Sequence, residues 1–155
     1  MSVPHAQDIL VIGYGNELRG DDGAGPAAAR AIEALALPGV RVFVQQQLTP
    51  DLAEAIAAAR ALILMDARQA TAAAQVVPQA LSPTPGELRT HISNPAALLA
   101  LAKALYGRCP PAWLVTIPAT TFDFGQRLSP GAQAGVEAAV EVVQALCQSA
   151  PLAAP

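Results

Sequence analysis

The chain has 155 residues, 53% of them hydrophobic, and a formal net charge of −3 at pH 7. That length and apolar content give room for the core of one globular domain and exclude a disordered chain. The small negative charge without a basic cluster argues against a nucleic-acid partner, and no charge-free run of 18 apolar residues offers a membrane-spanning helix.

The opening residues MSVPHAQD contain no basic stretch leading into a hydrophobic one, so no secretory signal is read there and a cytoplasmic protein is expected. Residues 8–13 (DILVIG) form an apolar run ending in glycine, the pattern of a buried strand. The Ala-rich segment 24–37 predicts a helix, stopped by Pro38 and Gly39. A second strand is expected over 40–44 (VRVFV). A second helix is expected over 50–59, with Thr49 as its cap and Pro50 at the first helical position. Residues 61–65 (ALILM) read as a fully apolar third strand closed by Asp66, and 74–81 as a weaker strand. A helix over 95–106 follows Asn94 as cap, then a strand over 112–117 (AWLVTI) and a long closing helix over 130–147.

This alternation of strands and helices predicts a three-layer α/β/α sandwich around a mainly parallel sheet. No repeat or linker divides it. One domain over 1–150 and a disordered tail over 151–155 are expected. Cys109 and Cys147 lack the spacing of a metal knuckle and read as ordinary thiols.

Residues 13–25 (GYGNELRGDDGAG) look like a nucleotide-binding loop, but the fingerprint G-x-G-x-x-G fails. Gly13 and Gly15 are followed by Leu18 where the third glycine belongs. Asp21 and Asp22 would also repel a pyrophosphate at the helix N-terminus, where the dipole should attract it. No G-x-S-x-G nucleophile motif occurs, and neither cysteine has a neighbouring histidine in sequence.

In open α/β sheets ligands bind beyond the carboxyl ends of the strands, where the strand order reverses. Asp21 and Asp22 follow the first strand, Asp66 follows the third, and His91 precedes the helix that starts near Pro95. Each has a plain alternative. Asp21 or Asp22 could cap the helix beginning near Ala24, Asp66 could merely end a strand, and His91 could be an exposed side chain. As neighbours they mean more. Two ionised carboxylates about 4 Å apart repel by about 4 kcal/mol at an effective dielectric near 20, which a cation or shared proton would offset. Two carboxylates and an imidazole make an open site for a divalent transition metal.

The segment GNELRGDDGAGP (15–26), with LILMDA (62–67), THISNPAALLALA (90–102) and LVTIPATTFDFGQRLSP (114–130) in the same order, resembles the hydrogenase maturation proteases. The resemblance spans about residues 8–147. It implies a twisted five-stranded sheet between helices and an endopeptidase that removes the C-terminal extension of a nickel–iron hydrogenase large-subunit precursor. It implies Asp22, Asp66 and His91 as ligands for nickel that the precursor already carries, with no tightly held metal in the resting protein. Asp22 or Asp66 would serve as general base. Asp21 and Asn16 are read as supporting the loop, and Gly13, Gly15 and Gly23 as permitting its turns and close approaches. Many relatives carry an Asp-Gly-Gly-like segment after the second strand, whereas this chain reads QQQLTPDL (45–52). That resembles the variant serving NAD-coupled, bidirectional hydrogenases and makes Gln46, Gln47 and Leu48 candidates for substrate selectivity, the alternative being a plain polar connection. A monomer meeting its substrate transiently is expected. A non-catalytic assembly factor that checks nickel is the competing reading.

Overall fold

The computed structural model describes residues 8–70, 75–84, 94–125 and 127–149. In chain order it contains β1 (Ile9–Tyr14), a 3-10 turn (Gly20–Gly23), α1 (Ala24–Ala34), β2 (Val40–Gln45) and α2 (Leu52–Ala58). There follow β3 (Ala61–Gln69), β4 (Pro78–Leu81), α3 (Pro95–Tyr106), β5 (Ala112–Ala119) and α4 (Pro130–Gln148). The five strands form one sheet in the order β2-β1-β3-β5-β4. All neighbours run parallel except β4, which pairs antiparallel with β5 at the edge.

The central strands are apolar on both faces because both faces are covered. Leu10, Ile12, Leu62 and Leu64 point into one core layer with Leu52, Ile56, Leu98 and Leu99 of α2 and α3. The alternate residues Ile9, Val11, Ile63 and Met65 join Ala28 and Ile32 of α1 and Val143 of α4 in the other. Each fully buried Leu or Ile contributes about 2 kcal/mol relative to exposure. The expected α/β/α sandwich is therefore the observed one.

Several boundaries differ from expectation: β4 covers only Pro78–Leu81 of the strand expected over 74–81, β5 runs on to Ala119, β1 reaches Tyr14, and three further differences have clear local causes. α1 ends at Ala34, because Leu35 and Ala36 donate to carbonyls three residues back and Ala36 turns to φ 49°. α2 begins at Leu52. Its cap position is Asp51 without a side-chain cap bond, and the Thr49 hydroxyl binds the Asp51 carboxylate instead. Pro50 belongs to the preceding turn, whose carbonyl takes the Ala53 N–H. β3 does not close at Asp66 but continues to Gln69. It pairs with β1 only as far as Met65 and with β5 through Gln69. Asp66 is thus the first residue of β3 to pass the end of its ladder with β1. The residues expected to form the tail, 151–155, lie outside the described ones. Among the described residues no helix is long and apolar enough to cross a membrane.

Candidate functional site

The strand order reverses between β1 and β3: β1 leads outward to β2, and β3 leads the other way to β5. The crevice beyond this pair holds the glycine loop at the end of β1 and Asp66 on β3. Two close approaches bring α1 down onto the strand ends. A Cβ on Gly13 would stand 2.2 Å from the Gly25 carbonyl oxygen, and one on Gly25 would stand 2.5 Å from that of Tyr14. Gly15 has φ +149°, and a Cβ there would meet the Asp22 carbonyl oxygen at 2.0 Å. Any side chain at Gly15 would push the loop off its own end.

The adjacent aspartates part company in the 3-10 turn. Asp21 is fully buried. Its Oδ1 accepts the Ser129 N–H at 2.7 Å, and its Oδ2 accepts the Ser129 hydroxyl at 2.7 Å and the N–H groups of Thr120 at 2.9 Å and Thr121 at 3.1 Å. Burial pushes this carboxyl up, but the combined bonds from Ser129, Thr120 and Thr121 outweigh it and hold it below the usual range. The backbone repeats the tie, with the Asp21 N–H donating to the Thr121 carbonyl and the Gly20 N–H to that of Gly125, both at 2.7 Å. Asp21 therefore staples the β1–α1 loop to the β5–α4 connection about a hundred residues away.

Asp22 is half-buried, and its Oδ2 accepts the Asn16 N–H at 2.6 Å. The Asn16 side chain in turn accepts the Leu18 N–H at 2.9 Å. Neither aspartate caps α1, whose cap position is Gly23 with no side-chain bond. Gly23 also packs close to Glu17, a Cβ there standing 3.2 Å from the Glu17 Cα.

Asp66 is half-buried beside Tyr14, on the same sheet face. Burial is the main cause that lifts its carboxyl to about 6, while the hydrogen bond from Tyr14 opposes and the Asp22 charge adds to the rise. The Tyr14 phenol is pushed above its ordinary value, first by burial and then by the Asp66 charge, so it stays a donor to that carboxylate. Two carboxylates close enough to influence each other at a topological switch point can hold a cation or accept a proton from water.

His91 lies outside the described residues, and among those described no group of three His, Cys, Asp or Glu stands ready for a metal. Gln46 lines a cleft of about 300 Å³ with Gly15, Asn16, Leu18 and Gln45, whereas Gln47 is exposed away from it. Leu48 is a correction: it is 4% exposed and packs in the α2–α3 core layer, so its side chain cannot meet a partner at the surface. Cys109 and Cys147 are free, half-buried thiols, pushed up chiefly by burial.

Tyr14, Thr120 and Ser129 belong to this constellation and were not expected. Period-two alternation would have placed Tyr14 on the Asp66 face, and Ser129 before Pro130 carries a helix-cap signal, confirmed by its 3.2 Å bond from the Ala132 N–H. Nothing local links Thr120 to Asp21.

No family model and no curated protein matches the chain. Solved structures do. The NiFe hydrogenase maturation protease HybD of Thermococcus kodakarensis is 25% identical with TM-score 0.67, covering 91% of this chain and 99% of its own. The hydrogenase maturating endopeptidase HybD of Escherichia coli is 23% identical with TM-score 0.72, covering 91% and 92%. The HycI maturation protease of T. kodakarensis is 20% identical with TM-score 0.69, covering 92% and 94%. The chain has the fold of these proteases.

Proposed function

We propose that this protein is a hydrogenase maturation endopeptidase that trims the C-terminal extension of a nickel-loaded large-subunit precursor, working in the cytoplasm as a monomer. One observation carries the reading. The carboxylates at the β1–β3 switch point, Asp22 and Asp66, sit in a fold matched over 91% of the chain, at 25% identity, by a NiFe hydrogenase maturation protease. The segment 45–52 favours the NAD-coupled, bidirectional type of hydrogenase as partner.

In this reading nickel is part of the substrate, held by the precursor's thiolates. Asp22, Asp66 and His91 would complete its coordination and so admit only a loaded precursor. Hard carboxylates and one imidazole suit brief inspection of a metal better than its retention. Recognition is the primary role; hydrolysis follows from placement. Asp22 or Asp66 takes a proton from water as the oxygen bonds to the scissile carbonyl carbon, and that proton is returned to the leaving amine as the C–N bond breaks. Asp21 fixes the turn from which Asp22 projects, and Tyr14 orients Asp66.

Intact-mass measurement of a matched precursor tests this. Loss of a short C-terminal peptide only from nickel-loaded precursor supports the reading. Trimming without nickel would keep the peptidase and remove metal recognition. Binding without trimming would favour the non-catalytic assembly factor.

A further inference from the structure

The two edges of the sheet are built differently. β4 is four residues long and begins with Pro78, which cannot donate to a ladder. β2 is six residues of sequence VRVFVQ, free of proline and with one charge. Among the described residues nothing pairs with its outer side. A long apolar edge with a row of open N–H and C=O groups invites another strand, and proteins normally blunt it.

The surroundings of this edge fit a peptide. Two clefts flank β2, one on each sheet face, and both include Gln45. On the α2 face, Arg41 and Phe43 line a cleft of about 460 Å³, with the Arg41 guanidinium 5.1 Å from the Phe43 ring centroid. On the opposite face, Val44 and Gln46 line the 300 Å³ cleft that reaches Gly15, Asn16 and Leu18. A strand laid along β2 would send alternate side chains into the two clefts. The far end of β2 is tied to the catalytic loop, because the Gly15 N–H donates to the Gln45 carbonyl at 3.2 Å. Asn16, next in line, donates to Asp22.

We infer that the outer edge of β2 receives the segment of the precursor carrying the scissile bond as an added strand, its backbone read by the edge and its side chains by the two clefts. This rests on the endopeptidase reading above. It explains how the enzyme would hold an extended tail without a deep pocket, and how the bond would reach the Asp22 loop.

Hydrogen exchange of the full chain tests it. The probe is the nickel-loaded cognate precursor with proline on the leaving side of the scissile bond, so that it resists cutting. Outward-facing amides over Val40–Gln45 should slow by about tenfold on binding, while those of Pro78–Leu81 stay unchanged. A complex that protects the 15–23 loop but not β2 would overturn strand addition and leave the endopeptidase intact. Failure of the wild-type protein to bind or trim the uncut precursor would remove the endopeptidase, and this proposal with it. As a second readout, Phe43→Ala should raise KM for trimming about fivefold with kcat unchanged, as expected for a lost binding contact. An unchanged KM would sink the cleft assignment.

Discussion

Asp21 and Asp22 share a turn, a charge and one peptide bond, yet their surroundings make them opposites. Asp21 is sealed and takes donors from Ser129, Thr120 and Thr121. Asp22 is half-buried, accepts the Asn16 N–H, and influences Asp66 across the crevice. The lesson is that a paired-acid motif need not mean two working acids. A saturated carboxylate is architecture, and one with spare acceptor capacity beside another carboxylate is available for chemistry.

The largest expected effect breaks the architectural member. Asp21→Asn keeps one acceptor oxygen but turns an NH₂ group toward N–H donors, leaving at least two buried groups unpaired. The cost should be about 3 kcal/mol or more, a fall in Tm of about 10 °C for a chain this size. Urea unfolding followed by circular dichroism measures it, and a change within about 0.5 kcal/mol would show that the staple carries no weight. Asp22→Asn should do the reverse. Its carboxamide oxygen can still accept from Asn16, so stability should move by no more than about 1 kcal/mol. Trimming should fall by about a hundredfold or more if this carboxylate meets the substrate's metal. Wild-type trimming by this variant would end the ligand assignment.

How much of this was legible in the sequence follows the same division. Apolar runs and caps local to one segment, such as 61–65 or Asn94 with its bond from the Ala96 N–H, could be read directly because their causes are local. The site's position was legible through the rule that ligands gather where strand order reverses, and the acidic pair stood out against a glycine loop. The division of labour between Asp21 and Asp22 was not, because Thr120 and Ser129 reach Asp21 from about a hundred residues away. Leu48 misled for a related reason: within a polar stretch it looks like a surface residue, and only the packing of α2 and α3 draws it into the core. The end of β3 was misplaced because Asp66 interrupts the apolar run while β5, the longer partner, continues the ladder to Gln69.

Acid and base titrations sharpen the contrast with a smaller effect. Asp21 is held below its ordinary value, so the stability it contributes is present above about pH 4 and lost as pH falls through its folded-state pKa. Asp66 is raised to about 6, so the folded state binds its proton more tightly than the unfolded chain does. Its ionisation should therefore lower stability as pH rises from about 4 to 6, by about 1 kcal/mol once its partial exposure to water is allowed for. Denaturation curves across that window should show the slope in the wild type and a flatter one in Asp66→Asn. The same slope in both would mean that Asp66 is not the group responsible.

Tyr14→Phe is the gentlest probe and bears on Asp66, the carboxylate that Asp22 influences across the crevice. The Tyr14 hydrogen bond favours the ionised form of Asp66 and partly offsets the burial that raises it. Removing the hydroxyl should therefore lift the Asp66 pKa above about 6, while the ring keeps its place in the core layer beside Leu48 and Leu52. Carbon NMR of the Asp66 carboxyl reads the shift directly, and stability should change by about 1 kcal/mol or less. An upward shift would also move the low-pH limit of trimming to higher pH if ionised Asp66 is needed. A pKa that stays or falls would show that Tyr14 only fills space at the end of β1, and Asp66 would then owe its orientation to the Ala67 N–H alone among the hydrogen bonds that lower its pKa.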